Sequence, residues 1–441
     1  MSGEKSFKVG CANEVIKVNL FTELSGYGGF RGRRNRGVHD DLHCKAASFN
    51  IHGKRFILIT NDLIFMDRKA SGEIRKRLSK LHALPPASVM ICGSHTHSAP
   101  LIAPCPGLGE LDGDFRASWI ETVVEAAGRA IKDETPVSMA GGRVPITRQF
   151  GINRTDKNGP VDQEIRWSTF TRHDGTTKLL IYNHGMHAVV FGADMFFVSA
   201  DWPGAVSSLI LGKKLADNVM FLQGACGDIN PVECCKGLKE GEAILENLFR
   251  SYANDIENGL KHPEFQDQIP ALNFSMEEVK LPCREYSKDD LRRIAATMKK
   301  QDSHSFTRDR IEEMIIMMER EISVDIITDL QVVGLGNLYF YAVPAELFFL
   351  LGKELMNQSP GKLAFVSEVT NDNCSYIPIF ESEDDSALFC NKPIDYGAYE
   401  TLFVNFQFLK LPYKKTVGEY LVGKMIAMAK TLKKEITKND K

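Results

Sequence analysis

The segment Val89-Met90-Ile91-Cys92-Gly93-Ser94-His95-Thr96-His97-Ser98-Ala99-Pro100 decides how this chain is read. Its apolar start is too short for a helix and Gly93 ends it, so the pattern predicts a strand over 89–92 followed by a turn. Side chains at i and i+2 share one face of an extended chain. His95 and His97 are therefore expected to converge just past a strand terminus, where α/β proteins place their sites. Two imidazoles there have no obvious packing role, and neutral imidazole is a common zinc donor. The segment predicts a strand of an α/β sheet and a metal or active-site element at its end.

Working outward, further strands are predicted over 45–51, 55–60, 164–171, 178–182, 219–222, 329–333 and 338–343, most of them bounded by Gly, Asn or Asp. Helical periodicity covers 67–81, 115–131, 203–215, 238–260, 289–300, 309–321, 345–356 and 417–436, with Ser287 to Asp290 as a capping box for the fifth. Strands and helices alternate throughout, so the fold class is mixed α/β (α+β), with central β-sheets flanked by helices. No Pro/Ser-rich linker divides the chain, and no repeat of 20–50 residues is legible. It reads as a single large domain over 6–436, with 283–323 as a helical insertion or lid.

Composition narrows the function. Lys plus Arg number 54 against 57 Asp plus Glu, a formal charge of −3. That balance argues against nucleic acid as a partner. The longest apolar run, 338–351, is interrupted by Pro344 and Glu346 and is too short for a transmembrane segment, which needs ~20 apolar residues. The N-terminus shows no apolar signal region. Ten scattered cysteines with no CxxC form neither a zinc ribbon nor a disulfide framework, which suggests reduced thiols in a cytoplasmic compartment.

Four other features carry chemistry. His184 and His187 follow the strand over 178–182, and their spacing of three lets only one share a focus with the first pair. His39-Asp40-Asp41-Leu42-His43 imitates a helical zinc motif but precedes a strand, so a turn ordering the Arg31, Arg33, Arg34 and Arg36 loop is the plainer reading. Glu346 stands in an apolar stretch, where a carboxylate is costly unless paired or metal-bound, although a first-turn helix acid is the simpler alternative. Gly224 to Pro231 is a Gly-rich turn after a strand, and its amides could bind an oxyanion or substrate through Gly227, Asp228 and Asn230.

Taken in order, Gly-Val-His-Asp (37–40), Ser-His-Thr-His-Ser-Ala-Pro (94–100), Gly-Ile-Asn-Arg (151–154), Asn-His-Gly-Met-His (183–187), Ser-Ala-Asp-Trp-Pro-Gly (199–204), Gln-Gly-Ala-Cys-Gly-Asp-Ile-Asn-Pro (223–231), Val-Pro-Ala-Glu (343–346) and Ser-Tyr-Ile-Pro (375–378) resemble the catalytic domain of the neutral/alkaline (non-lysosomal) ceramidases. The match runs over roughly residues 8 to 405. The resemblance implies Zn2+ held by His95, His187, Glu346 and Tyr376. It implies that His97 faces the attacking water and that Arg154 and Tyr399 contact the scissile group. The implied activity is hydrolysis of a linear amide bond by a zinc-activated water, on a small-molecule N-acyl amide or lipid-like substrate.

The chain also departs from that family. The family carries Gly-Asp-x-Ser-Pro with a catalytic serine, whereas this chain has Asn230, which can donate a hydrogen bond but cannot be acylated. A zinc-water mechanism survives that change. The family's extra C-terminal β-sandwich domain is not expected here. A smaller or more polar amide, a lactam or an ester is as compatible with the residues as ceramide. A TIM-barrel amidohydrolase would also begin with His-x-His but needs eight β/α units that the strand spacing does not show. A binding protein that kept the fold and lost turnover is the non-enzymatic alternative. Met314, Met317 and Met318 at helical spacing read as packing.

Overall fold

The computed structural model describes residues 6–27, 32–105, 107–298, 305–380, 388 and 399–439. In chain order, β1 (Phe7–Ile16), β2 (Leu42–Ile51), β3 (Lys54–Asn61), α1 (Arg68–His82), β4 (Val89–Gly93) and α2 (Gly113–Lys132) form a first unit. After the short β5 (Thr135–Pro136), a second unit comprises β6 (Ser138–Pro145), β7 (Gly151–Asn153), β8 (Glu164–Thr171), β9 (Thr177–His184), α3 (Asp201–Gly212), β10 (Asn218–Gln223), β11 (Ile229–Pro231) and α4 (Leu238–Gly259). Following β12 (Phe265–Asp267), a third comprises β13 (Leu272–Lys280), α5 (Lys288–Met298), α6 (Ser305–Glu319), β14 (Ile327–Leu335), β15 (Leu338–Ala342), β16 (Glu346–Leu347), α7 (Phe349–Gln358), β17 (Leu363–Ser367) and β18 (Tyr376–Ile377). The helix Val417–Asn439 closes it.

The three units share one topology. Their sheets run β4-β3-β2-β1-β5, β10-β9-β8-β6-β12 and β13-β14-β15-β17. In each, three antiparallel strands are followed by a helical crossover and a fourth strand parallel to the third: β3/β4 across α1, β9/β10 across α3, β15/β17 across α7. A parallel pair cannot be closed by a tight turn and requires such a crossover. A second helix then returns to pack on the first two strands: α2 on β1 and β2, α4 on β6 and β8, Val417–Asn439 on β13 and β14. The pairs β7/β11 and β16/β18 lie outside these sheets.

Burial follows the period of the strands. Alternate residues such as Phe49, Phe56 and Met90 from the first sheet, Phe170, Ile181 and Leu222 from the second, and Val333, Phe340 and Phe365 from the third form one shared apolar centre. The intervening residues face outward beneath helix pairs: Ile57, Ile59 and Ile91 under α1 and α2, Leu180 and Phe221 under α3 and α4, and Val332 and Tyr341 under α7 and the closing helix. Ring contacts join the sheets, with Phe49 to Phe170 at 5.1 Å and Phe56 to Phe340 at 5.6 Å. Strands buried on both faces lose their polar alternation, which is why the apolar runs are so legible.

The mixed α/β expectation holds, and the eight predicted strands are all present. The other described strands were not predicted, neither the longer β1, β6, β13 and β17 nor the two- and three-residue β5, β7, β11, β12, β16 and β18; β13 (LNFSMEEVK), for one, has a largely half-buried polar pattern that does not announce a strand. The helix expected over 345–356 begins later, at Phe349, because Glu346 and Leu347 instead pair in parallel with Tyr376 and Ile377. The capping box forms: Ser287 N donates to Asp290 Oδ2 at 2.9 Å and Asp290 N to Ser287 Oγ at 3.1 Å. Within 283–323, α5 and α6 pack through Leu291, Ile294 and Met314 onto Leu402, Phe403 and Phe406. Among the described residues no helix is long and apolar enough to cross a membrane, and the nine described cysteines are free thiols.

Because Phe49 joins two sheets at the shared centre, Phe49→Ala should destabilise the chain by about 3–5 kcal/mol. Urea unfolding midpoints check this; a loss below about 1 kcal/mol would show that the sheets do not depend on that centre.

Candidate metal centre

The loops that leave the parallel strand pairs meet at one place. His95 follows β4, His187 follows β9, Cys226 and Asp228 follow β10, Glu346 follows β15 and Glu368 follows β17. All are at their C-terminal ends, the side where open α/β sheets gather ligands. Tight loops are needed for this convergence. A Cβ on Gly185 would lie 2.2 Å from the carbonyl oxygen of Ala225, so only glycine lets the β9 and β10 loops approach. His95 has φ +66°, a left-handed conformation rare for a non-glycine residue and typical of positions held under constraint.

The ring nitrogens of two histidines divide cleanly. His95 Nδ1 lies 2.7 Å from Ile64 O, and His187 Nδ1 lies 2.8 Å from Cys226 O and 3.1 Å from Ile229 O. Nδ1 therefore carries the hydrogen in both rings and Nε2 keeps its lone pair. Both Nε2 atoms and Glu346 Oε2 are buried with no hydrogen-bond partner. His95 Nε2 lies 3.3 Å, and His187 Nε2 3.5 Å, from that carboxylate oxygen. Two donors each ~2.0–2.1 Å from a tetrahedral ion would be about 3.3–3.4 Å apart. Three orphaned lone-pair donors at ligand-to-ligand spacing fit a metal ion.

Electrostatics calls for positive charge at the same point, which a ring proton or a metal ion can supply. Burial and the nearby Arg154 charge push His187 down to about 3, so its imidazole is neutral and able to ligate. Burial opposes charge on His95 and Glu346 as well, but their mutual attraction wins, holding the His95 imidazole above its usual value and the Glu346 carboxyl well below. His95, His187 and Cys226 also offer ligand atoms within 4.8 Å of one another. We favour Glu346 over Cys226 as the third donor. The thiol sits 3.2 Å from His187 Nδ1, the side already turned to carbonyls, and donates to Glu368 Oε1 at 2.7 Å. Burial and Glu368 hold that thiol well above its ordinary value.

His97 completes a triangle of imidazoles, its ring centroid 5.0 Å from His95 and 5.9 Å from His187. The convergence comes from the left-handed turn at His95 rather than from strand alternation, since β4 ends at Gly93. Both nitrogens of His97 are buried without a partner. Tyr376 is brought beside Glu346 by the β16/β18 register. Arg154 stands 5.3 Å from the Tyr376 ring and is held charged, against burial, by Tyr376 and Glu400. Tyr399 opens the turn Tyr399–Phe403, and its side chain lies outside the described residues.

Some expectations are corrected. The Gly227 amide donates to Leu347 O at 2.9 Å and the Cys226 amide to Glu368 Oε2 at 3.0 Å, so those two N–H groups are spent inside the fold rather than offered to an oxyanion. The turn instead presents carbonyls to His187. Asp228 accepts from Phe349 N at 2.7 Å and Asn153 Nδ2 at 2.8 Å, which ties the β10 loop to α7. Asn230 Oδ1 accepts from Arg154 at 3.3 Å. Glu346 is a strand residue, not a helix-capping acid. His184 turns away, with Nδ1 3.0 Å from Glu164 O. His39 pairs with Asp40 and Glu242, outside the centre. Arg33 is a buried clamp that donates to the carbonyls of Ser25, His97, Ala193 and Met195.

Sequence reasoning missed Glu400 and Glu368. Glu400 is buried 2.6 Å from Arg154, and burial raises its carboxyl to about 8. Each stands in a stretch without a legible pattern, and only its burial in the folded chain marks it out.

Asp162 anchors the loop that carries His187. It accepts two hydrogen bonds from Arg166, at 2.6 and 2.8 Å, and one from Gly185 N at 2.9 Å. Burial would raise its pKa, but Arg166 more than offsets this and holds it below the usual carboxylate value. A depressed folded-state pKa stabilises above the unfolded value and loses that contribution as pH falls. Arg166→Met should therefore cost about 3–5 kcal/mol at pH 7. The gap from wild type should narrow below about pH 4, where unfolded aspartate protonates. Urea midpoints at pH 7 and pH 3 test this; a pH-independent gap would refute the assignment.

No protein-family model and no curated protein sequence matches the chain. Solved structures do. A neutral ceramidase from Pseudomonas aeruginosa superposes with a TM-score of 0.74 at 13% identity, covering 98% of this chain and 75% of that one. A ceramidase complexed with C2 gives a TM-score of 0.75 at 13% identity, covering 98% and 76%. The chain has the neutral ceramidase fold, as the ordered motifs led us to expect.

Proposed function

We propose that this chain is a zinc-dependent hydrolase that cleaves an amide (N-acyl) bond by attack of water. The observation that carries this is the buried focus of His95 Nε2, His187 Nε2 and Glu346 Oε2, unpartnered and at tetrahedral donor spacing, at the loop ends of the ceramidase fold. The Tyr376 phenol, in register with Glu346, is the fourth donor. Zn2+ bound there supplies a Lewis acid that lowers the pKa of a bound water from 15.7 to ~7 and polarises a carbonyl.

The chain's own groups do the rest. His97 is held neutral by burial and by its imidazole neighbours. Its unpartnered nitrogens can take a proton from the attacking water and return it to the departing amine, a contribution of ~10²–10⁴-fold. Arg154 keeps its charge at the focus. Beside the Tyr376 ring, it stabilises the negative charge that builds up on the scissile carbonyl oxygen during attack. Its ties to Glu400, Gly227 O (2.8 Å) and Asn230 hold it in position. Asn230 therefore serves orientation in place of a nucleophile. A small-molecule or lipid-like N-acyl amide is the substrate class this arrangement suits.

Metal analysis should find one zinc per chain, and a panel of N-acyl amides of graded chain length should include a hydrolysed member. His95→Ala should lose both the metal and the activity. A wild-type chain that binds zinc but hydrolyses no amide would sink the enzymatic reading, and full activity in metal-free His95→Ala would sink the mechanism.

A further inference from the structure

We propose that Glu368 is the positioning residue of this centre, with one carboxylate fixing both the carbonyl that orients His187 and the strand that carries Glu346. The inference deepens the zinc hydrolase reading and rests on it.

Glu368 is the first residue after β17 and is fully buried. Its Oε2 accepts from Cys226 N and from Leu347 N, both at 3.0 Å, and its Oε1 accepts from Cys226 Sγ at 2.7 Å. Both oxygens are thus taken, and Glu368 is not itself a donor to an ion. The two backbone partners matter because of what adjoins them. The carbonyl of the same Cys226 receives His187 Nδ1 at 2.8 Å, so anchoring its amide fixes the peptide that sets the ring and its tautomer. Leu347 follows Glu346 directly, so anchoring its amide fixes the short strand whose preceding side chain reaches both imidazoles. The Glu368 main chain is itself held, its N donating to Gln223 O at 3.0 Å and its carbonyl accepting from Thr370 Oγ1 at 2.9 Å. One side chain from the third sheet therefore ties the loop of the second sheet to the β16 strand.

This is the arrangement in which outer hydrogen bonds orient metal donors, and loss of such a partner typically costs 10–100-fold in metal affinity. Gln at 368 retains an oxygen for the two amides. Met fills the same space and accepts from neither.

The test measures Zn2+ affinity of the metal-free full chain by competition with a chromophoric chelator, alongside urea midpoints, in wild type, E368Q, E368M and E346Q. E368M should bind zinc about 10–100-fold more weakly, E368Q should stay within about threefold of wild type, and E346Q should lose the metal. If E368M loses stability yet binds zinc as tightly as wild type, the role is merely structural and the proposal is overturned. If E368M does not fold, E368D replaces it, because its shorter side chain cannot span both amides; unchanged zinc affinity in E368D overturns the proposal equally. If wild type itself binds no zinc, the hydrolase reading fails, and the clamp is judged on the metal-free chain by exchange of the His187 Nδ1 hydrogen in NMR. Faster exchange in E368M or E368D than in wild type supports the clamp, and equal exchange refutes it.

Discussion

A carboxylate oxygen, that of Glu346, sits dry between two imidazole nitrogens, and much of the neighbouring structure is arranged to hold it there. An ionised carboxylate away from water is expensive unless opposite charge or strong donors surround it. Both rings spend one hydrogen on backbone carbonyls, so the nitrogens that face the carboxylate carry hydrogen only when the ring is charged. Neutral rings and a carboxylate so placed cohere only around positive charge, whether a proton on His95 or a metal ion that replaces it. The centre is therefore written into the tautomers, and the tautomers are written into the loops that supply Ile64 O, Cys226 O and Ile229 O.

Those loops come from three sheets of like topology. Each unit ends in a parallel strand pair, and a parallel pair turns its two C-terminal ends in one direction. Packing the three inner faces around Phe49, Phe170 and Phe340 brings these ends together. The site thus inherits its position from the apolar centre, and no single unit contains it. The polar ties across it, Asp162 to Gly185, Asp228 to Phe349 and Glu368 to Cys226 and Leu347, are buried carboxylate-to-amide bonds that fix irregular backbone where no sheet ladder can. An elementary geometry, repeated three times, positions donors that lie far apart in sequence.

Much of this was legible beforehand. His95, His97, His187, Glu346 and Tyr376 all reach the centre region, and the strands that lead to the three histidines were visible as short apolar runs because both faces of their sheets are buried. Glu346 was legible as an anomaly, a charge in an apolar run. What misled was local geometry. Strand alternation suggested how His95 and His97 would converge, but the left-handed backbone at His95 does that work instead. Helical periodicity after Val343 hid a two-residue strand, because pairing with Tyr376 and Ile377 outweighs local propensity. The Gly-rich turn suggested free amides, yet backbone carbonyls elsewhere in the chain had already claimed one and a buried glutamate another.

The sequence by itself determined which residues could carry the chemistry and that they stand at strand ends in a mixed α/β chain. Those properties are local, set by side-chain type and by the period of a strand. Only the tertiary structure decided which ring nitrogen faces the centre, that Arg154 is bound to Glu400, and that Glu368 grips two loops at once. These depend on hydrogen-bond partners many residues away, and such partners exist only once the three sheets have closed around their common core.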